Sequence, residues 1–201
     1  MRYYNYLNEN IYSIDEINEM ITTNCKYYLS LINHGAIFTR ALGNPIDFPF
    51  IKKQTRQDRM PSGMPVKIFK MFNQWLKMNR HTTRDNSVIG TSLDTLQRTA
   101  FGNNYFLFPI GKFNFTYAET NDINMDDRET GWKEDIVDRF LMDDLEDGDL
   151  PKPFEHYFHT NKKIHHAYDL KYEIWFDCKE YYLAALSYYK WDKKTHRLYN
   201  R

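Results

Sequence analysis

Apolar residues recur near the helical period between residues 14 and 32, with Ile14, Ile17, Met20, Ile21, Tyr28, Leu31 and Ile32 falling toward one face. Ser13 followed by Glu16 is a capping box, in which a hydroxyl and a carboxylate satisfy amide donors left bare at a helix start. The spacing therefore predicts a helix beginning at Ser13, and Gly35 can take the left-handed conformation that closes it. Residues 36–42 then read as a short strand carrying one basic residue, Arg40. Residues 43–63 hold Pro45, Pro49 and Pro61, three of the seven prolines, and read as a loop whose length points to function. Val66, Phe69, Phe72, Trp75 and Leu76 form the apolar stripe of a helix over residues 65–78, and the stripe alone says core.

Further along, SVIGTS at residues 87–92 reads as a strand ending in small hydroxylated residues, followed by a helix-compatible LDTLQRTA. Residues 106–109 and 112–118 read as a hairpin about Gly111, with Phe113 and Phe115 on one face by the period-two rule. A helix is expected over residues 132–145. Tyr172, Ile174 and Phe176 alternate with Glu173, Trp175 and Asp177, and residues 181–189 supply one more strand. Helices early and strands late make an α+β pattern, expected as a single domain over residues 1–201 with an N-terminal helical region at 1–35 and an acidic insertion at 120–153.

Composition excludes several classes. Aromatic residues number 34 of 201 (4 Trp, 16 Tyr, 14 Phe) against only 8 Gly, which rules out a collagen-like or generally disordered chain. No apolar run approaches the ~18 residues of a membrane span, and MRYYNYLNEN lacks the apolar stretch of a secretory signal, so export by that route is not expected. Cys25 and Cys178, the only cysteines, are too few for a disulfide framework and read as reduced, buried thiols. The net charge of zero hides an asymmetry. Residues 51–84 carry nine basic residues against Asp58, net +8, and residues 119–150 carry thirteen acidic and three basic residues, net −10. Each stretch reads as a solvated charged face, the basic one alternatively as a phosphate-facing surface.

Seven histidines make metal the first chemistry to test. His165 and His166 are adjacent, His156 and His159 are only weakly helix-spaced, and neither paired-cysteine ligands nor HExxH is present, so no metal site is expected. GxxxxGK[ST] and GxGxxG are also missing, no elbow motif supports a hydrolase, and Cys25 sits on the expected first helix as core. What remains is an ordered triplet: Arg40 on the first strand, Thr91 and Ser92 at a strand end, and Glu173 on a late strand.

IFTRAL with Arg40, VIGTSL with Thr91 and Ser92, and KYEIWFDCKEYY with Glu173 resemble, in order and strand context, the arginine, serine-threonine-serine and E-x-E elements of the R-S-E class of ADP-ribosyltransferases. The resemblance spans roughly residues 30–187. RTAFGNNYFLFPIGKFNF and TRQDRMP are similar to stretches of ADP-ribosyltransferase-like proteins encoded by bacteriophages. It implies two packed, mainly antiparallel sheets flanked by helices, with NAD as co-substrate, no metal, and a mono-ADP-ribosyl transfer onto a host macromolecule in the host cytoplasm or from a phage virion. Arg40 would grip the phosphates and ribose of NAD with its planar fork. Thr91 and Ser92 would hold the pocket wall and the glutamate, and Phe101 would line the cofactor site. Glu173 would stabilise the oxocarbenium-like centre formed when nicotinamide leaves.

The chain departs from the family pattern at Gly90, which stands at the first serine position, and at Lys171, which stands at the upstream acidic position that helps to activate the acceptor. Lys171 makes a non-arginine acceptor, or plain NAD hydrolysis, the expectation. Arg40 and Glu173 also read as polar residues of half-solvated strands, Thr91 and Ser92 as a cap of the following helix, and Phe101, Tyr105 and Phe108 as core. Two further functions stay open: a catalytically silent relative serving among phage virion proteins, and a nucleic-acid-binding module using residues 51–84 with aromatic stacking.

Overall fold

Ser13 caps the first helix as its spacing predicts, accepting from the Glu16 amide at 3.3 Å while the Glu16 carboxylate accepts from the Ser13 amide at 2.7 Å. The helical stretch is two helices, α1 (Ile14–Asn24) and α2 (Lys26–Leu31), divided at Cys25, whose backbone (φ −109°, ψ 24°) leaves the helical region. Thr22, Thr23 and Asn24, weak helix formers, immediately precede the break. Gly35 (φ +77°) ends the segment, its amide donating to Ile32 O at 2.7 Å. The computed structural model describes residues 12–32, 35–43, 48–57, 59, 66–92, 103–119 and 158–201; the expected helices at LDTLQRTA and 132–145, and the whole acidic insertion, lie outside them.

Eight strands make one antiparallel ladder: β1 (Phe38–Leu42), β2 (Phe50–Gln54), β3 (Val88–Ser92), β4 (Asn103–Pro109), β5 (Asn114–Ala118), β6 (Phe158–Thr160), β7 (Ile174–Asp177) and β8 (Glu180–Ala185), in the order β2-β8-β4-β1-β3-β7-β5-β6. A hairpin of β9 (Tyr189–Asp192) and β10 (Arg197–Asn200) follows. Helix α3 (Val66–Met78) and the short α4 (Ile164–Asp169) complete the described elements, so the fold is α+β.

The two sheets expected from the sequence are two halves of this one ladder, joined because they share β3. Val88, Ile89 and Gly90 pair with β7, whereas Thr91 and Ser92 pair with β1. The halves nevertheless face each other. Only Cys178 and Lys179 separate β7 from β8, three Cα steps spanning at most ~11 Å. Four inter-strand steps in a flat sheet would span ~19 Å. The ladder must therefore fold over on itself, and Tyr28 of α2 shows the result: its ring makes edge contacts with Phe108 of β4 and with Phe176 of β7, at 6.3 and 6.0 Å. Phe38 closes the same core 5.6 Å from Phe176, and burying such a ring contributes ~1.5–3 kcal/mol.

Two expectations are corrected here. The stretch 43–63 is not loop throughout, because β2 lies within it, directly after Pro49. Among the described strands it pairs only with β8, as an edge strand, and it exposes Lys52 and Gln54, so its sequence lacks an apolar run. The segments around Gly111 do not form a hairpin with each other. Strand β4 pairs with β1 and β8, and β5 with β6 and β7, so the turn at Gly111 (φ +73°) carries the chain from one half to the other. Period two identifies a strand's faces but not its neighbour.

Candidate functional site

The shared strand β3 brings the sequence triplet together. Thr39 of β1 pairs with Thr91, so Arg40, one residue on, stands beside Gly90; Gly90 in turn pairs with Ile174, the residue after Glu173. Arg40, Thr91 and Glu173 thus come from three adjacent chain segments. Arg40 is half-buried, its Nη1 donates to Ile89 O at 3.2 Å, and its buried Nε has no hydrogen-bond partner among the described residues. Burial depresses its pKa, and Arg56 adds repulsion, while Tyr181, Cys178 and Glu173 oppose the shift.

Glu173 is 4% exposed and ends up beside a second arginine that sequence reasoning missed. Arg84 Nη2 lies 2.9 Å from Glu173 Oε1, and Trp175 Nε1 donates to the same oxygen. The Arg84 guanidinium also sits 5.6 Å from the centroid of the Trp175 ring. Trp175 reaches the carboxylate because it is two residues along an extended chain and shares its face.

The segment carrying Arg84 is fixed from three sides. Asn73 on α3 accepts the Arg84 amide at 2.7 Å, and its own amide nitrogen donates to Phe69 O at 2.8 Å. The Thr82 amide donates to Thr116 Oγ1 on β5 at 2.8 Å. Thr116 is joined to Thr160 on β6, and Thr160 to His81 Nδ1, both at 2.7 Å.

Arg59 approaches from the segment after β2, with its amide donating to Asp85 O at 3.3 Å. Its Nη1 is buried without a partner among the described residues. Burial, then the charges of Arg40, Arg84 and Arg56, push its pKa down to about 10, with only Glu173 pulling the other way. Three guanidinium groups, those of Arg40, Arg59 and Arg84, thus feel the charge of one paired carboxylate, and the exposed Arg56 adds its charge near Arg40 and Arg59. Thr91 Oγ1, Ser87 Oγ and one carboxylate oxygen of Asp85 are also buried without described partners. Arg40 Nε and Arg59 Nη1 are thus desolvated donors without a partner among the described residues, a state that an anion would relieve.

The other expected site residues are placed as follows. Thr91 and Ser92 alternate across β3, so only Thr91 shares the Glu173 face; Ser92 is 1% exposed and stands opposite Phe38 of the core. The described donors to Glu173 are Arg84 and Trp175, where the sequence pointed to the two hydroxyl residues. Lys171 has φ +62° and donates its amide to Tyr168 O at 3.1 Å, finishing the turn after α4. Tyr105 and Phe108 are core, and Phe101 lies outside the described residues. Of the missed residues, Arg59 and Arg84 had their signal in the basic stretch. Within that stretch Lys52 pairs with Glu180 at 2.8 Å, while Lys67, Lys70 and Lys77 occupy the exposed side of α3.

Among the described residues no group of three or more His, Cys, Asp or Glu side chains could hold a metal ion, and no helix is long and apolar enough to cross a membrane. An open hollow of about 310 Å³ is lined by Tyr12, Glu16, Glu19, Met20, Thr23 and Asn24, none of them from the arginine cluster. No protein-family model matches this chain, and no curated protein and no solved structure matches it.

Proposed function

We propose that the chain is an NAD-dependent mono-ADP-ribosyltransferase of phage origin, acting on a host macromolecule through an acceptor other than arginine. The observation that carries the reading is that Arg40 and Glu173 flank β3 on its two sides, with the buried guanidinium of Arg59 close enough to feel the charge of both. Cleaving the bond from ribose to nicotinamide develops positive charge on the ribose, and a fixed carboxylate lowers that barrier. Glu173 would be that carboxylate. The dinucleotide also brings a diphosphate, whose negative charges match the Arg40 and Arg59 nitrogens that have no partner among the described residues. Lys171, at the position where the family pattern has an acid, supports an acceptor that needs no second carboxylate.

The test is release of nicotinamide from NAD by the purified chain. E173Q should abolish release while leaving the circular dichroism spectrum unchanged; unchanged turnover removes Glu173 from the mechanism. Mass spectrometry of host lysate incubated with the chain and labelled NAD then identifies the acceptor.

A second reading, a silent relative with a binding or structural role, is favoured by one observation: Glu173 is already paired and 4% exposed. Equilibrium dialysis with NAD separates the two, because a retired site would not retain affinity for the dinucleotide.

A further inference from the structure

We propose that Arg84 and Trp175 are positioning residues for Glu173, holding Oε1 from one side so that Oε2 is the oxygen presented to the ligand's ribose. The inference rests on the transferase reading. Both donors converge on Oε1, and Oε2 accepts no hydrogen bond among the described residues. A carboxylate tied at one oxygen by a guanidinium and an indole cannot rotate about its terminal bond without breaking two charge-assisted contacts. The arrangement therefore selects which lone pairs face the ligand.

Neither donor is loosely held. Arg84 is fixed through its own amide by Asn73, and its segment through Thr82, Thr116, Thr160 and His81. Trp175 is fully buried, against Phe72 of α3 at 6.2 Å and Phe158 of β6 at 6.1 Å. Packing and hydrogen bonds thus set both donors before any ligand arrives, which a site needs if the carboxylate is to be ready in one orientation.

Arg84 also supplies charge. The charged groups coupled to Glu173 are Arg84 before β3, Arg40 on β1 and Arg59 after β2, and Lys171 lies two residues upstream. Arg84 is the one in direct contact with the carboxylate.

The test uses the full chain with glutamate labelled by 13C at the side-chain carboxyl, the Glu173 signal being assigned by its loss in E173Q. The Glu173 carboxyl signal should shift in R84M, by less in R84K, and again in W175F, which removes the second donor and keeps a ring. In turnover, kcat of nicotinamide release should fall in R84M while KM for NAD changes little. R84K should restore part of kcat.

A purely structural role would lower the yield of folded chain without separating kcat from KM and without rescue by R84K. An unmoved Glu173 carboxyl signal in folded R84M overturns the proposal, as it does in W175F should R84M not fold. If the wild-type chain releases no nicotinamide, the transferase reading fails, and the carboxyl signals of the variants still decide whether the two donors hold Glu173.

Discussion

Arg84 and Glu173 form an ion pair at 2.9 Å with side chains only 3% and 5% exposed, so neither charge has bulk water to fall back on. Removing one member of such a pair leaves the other desolvated, which typically costs ~3–5 kcal/mol, whereas replacing both with apolar groups of similar size is often close to neutral. R84M should therefore lower the unfolding free energy by ~3–5 kcal/mol in urea titrations. The double variant R84M/E173M should recover most of the loss. If the single and double variants are equally unstable, the pair is not the source of the effect.

Gly90 sits where the two halves of the ladder press together. A Cβ there would come 3.1 Å from Leu107 Cδ2, 3.2 Å from Phe176 Cε2 and 3.2 Å from Phe38 Cβ, so neighbours on three strands would have to yield. G90A should destabilise by ~1–3 kcal/mol through overpacking. G90S, which introduces a serine at this position, should do the same and gain no activity, because Gly90 alternates with Thr91 and points at the core. Thermal denaturation and nicotinamide release of both variants check this, and a more active G90S would show that the serine position belongs to the site.

The triplet Arg40, Thr91 and Glu173 was legible because each lies on or beside a strand with a clear apolar pattern, and strand order then placed them side by side. Arg84 and Arg59 were not, because both sit in irregular segments. Their inward direction is set by contacts distant in sequence: Asn73 and the threonines of β5 and β6 for Arg84, and the carbonyl of Asp85 for Arg59. Charge counting found the stretch but could not tell inward arginines from the outward lysines of α3. The break at Cys25 and strand β2 were hidden for a different reason, since local propensity is weak there and tertiary pairing decides.

Both thiols should be silent toward reagents in the folded chain. Burial first, then the neighbouring thiol, pushes Cys25 up to about 12, and burial first pushes Cys178 up to about 12 against the opposing contact from Thr55. These are acids whose folded values exceed their unfolded value of 9.0, so the unfolded chain sheds its protons first. Their contribution to stability is whole below pH 9, and it is lost as the pH rises toward 12. At pH 8 a disulfide reagent should modify neither cysteine until urea unfolds the chain. C25A/C178A should flatten part of the decline in stability above pH 9, and rapid labelling of the native chain would show that the thiols are not enclosed.

An anion should stabilise the chain through Arg59 and Arg40. Burial and the neighbouring guanidinium charges lower the pKa of Arg59 to about 10, so the folded state is penalised for carrying this charge at neutral pH, and that penalty fades only as the pH rises above about 10. Two routes relieve it at neutral pH: loss of the charge or arrival of a counter-charge. R59Q should therefore raise the melting temperature in a buffer free of polyvalent anions. Inorganic pyrophosphate should raise that of the wild type, by ~2.7 kcal/mol of stabilisation at a concentration about 100 times its Kd, or about 5–10 °C for a chain of this size. The same pyrophosphate should raise R59Q much less, because the nitrogen it would bind is gone, and R40Q should behave alike. ADP-ribose should compete with pyrophosphate in a calorimetric titration if both use these guanidinium groups. Equal stabilisation of the wild type and both variants would place the anion elsewhere, most plainly on the exposed lysines of α3, and would remove the diphosphate from the arginine cluster.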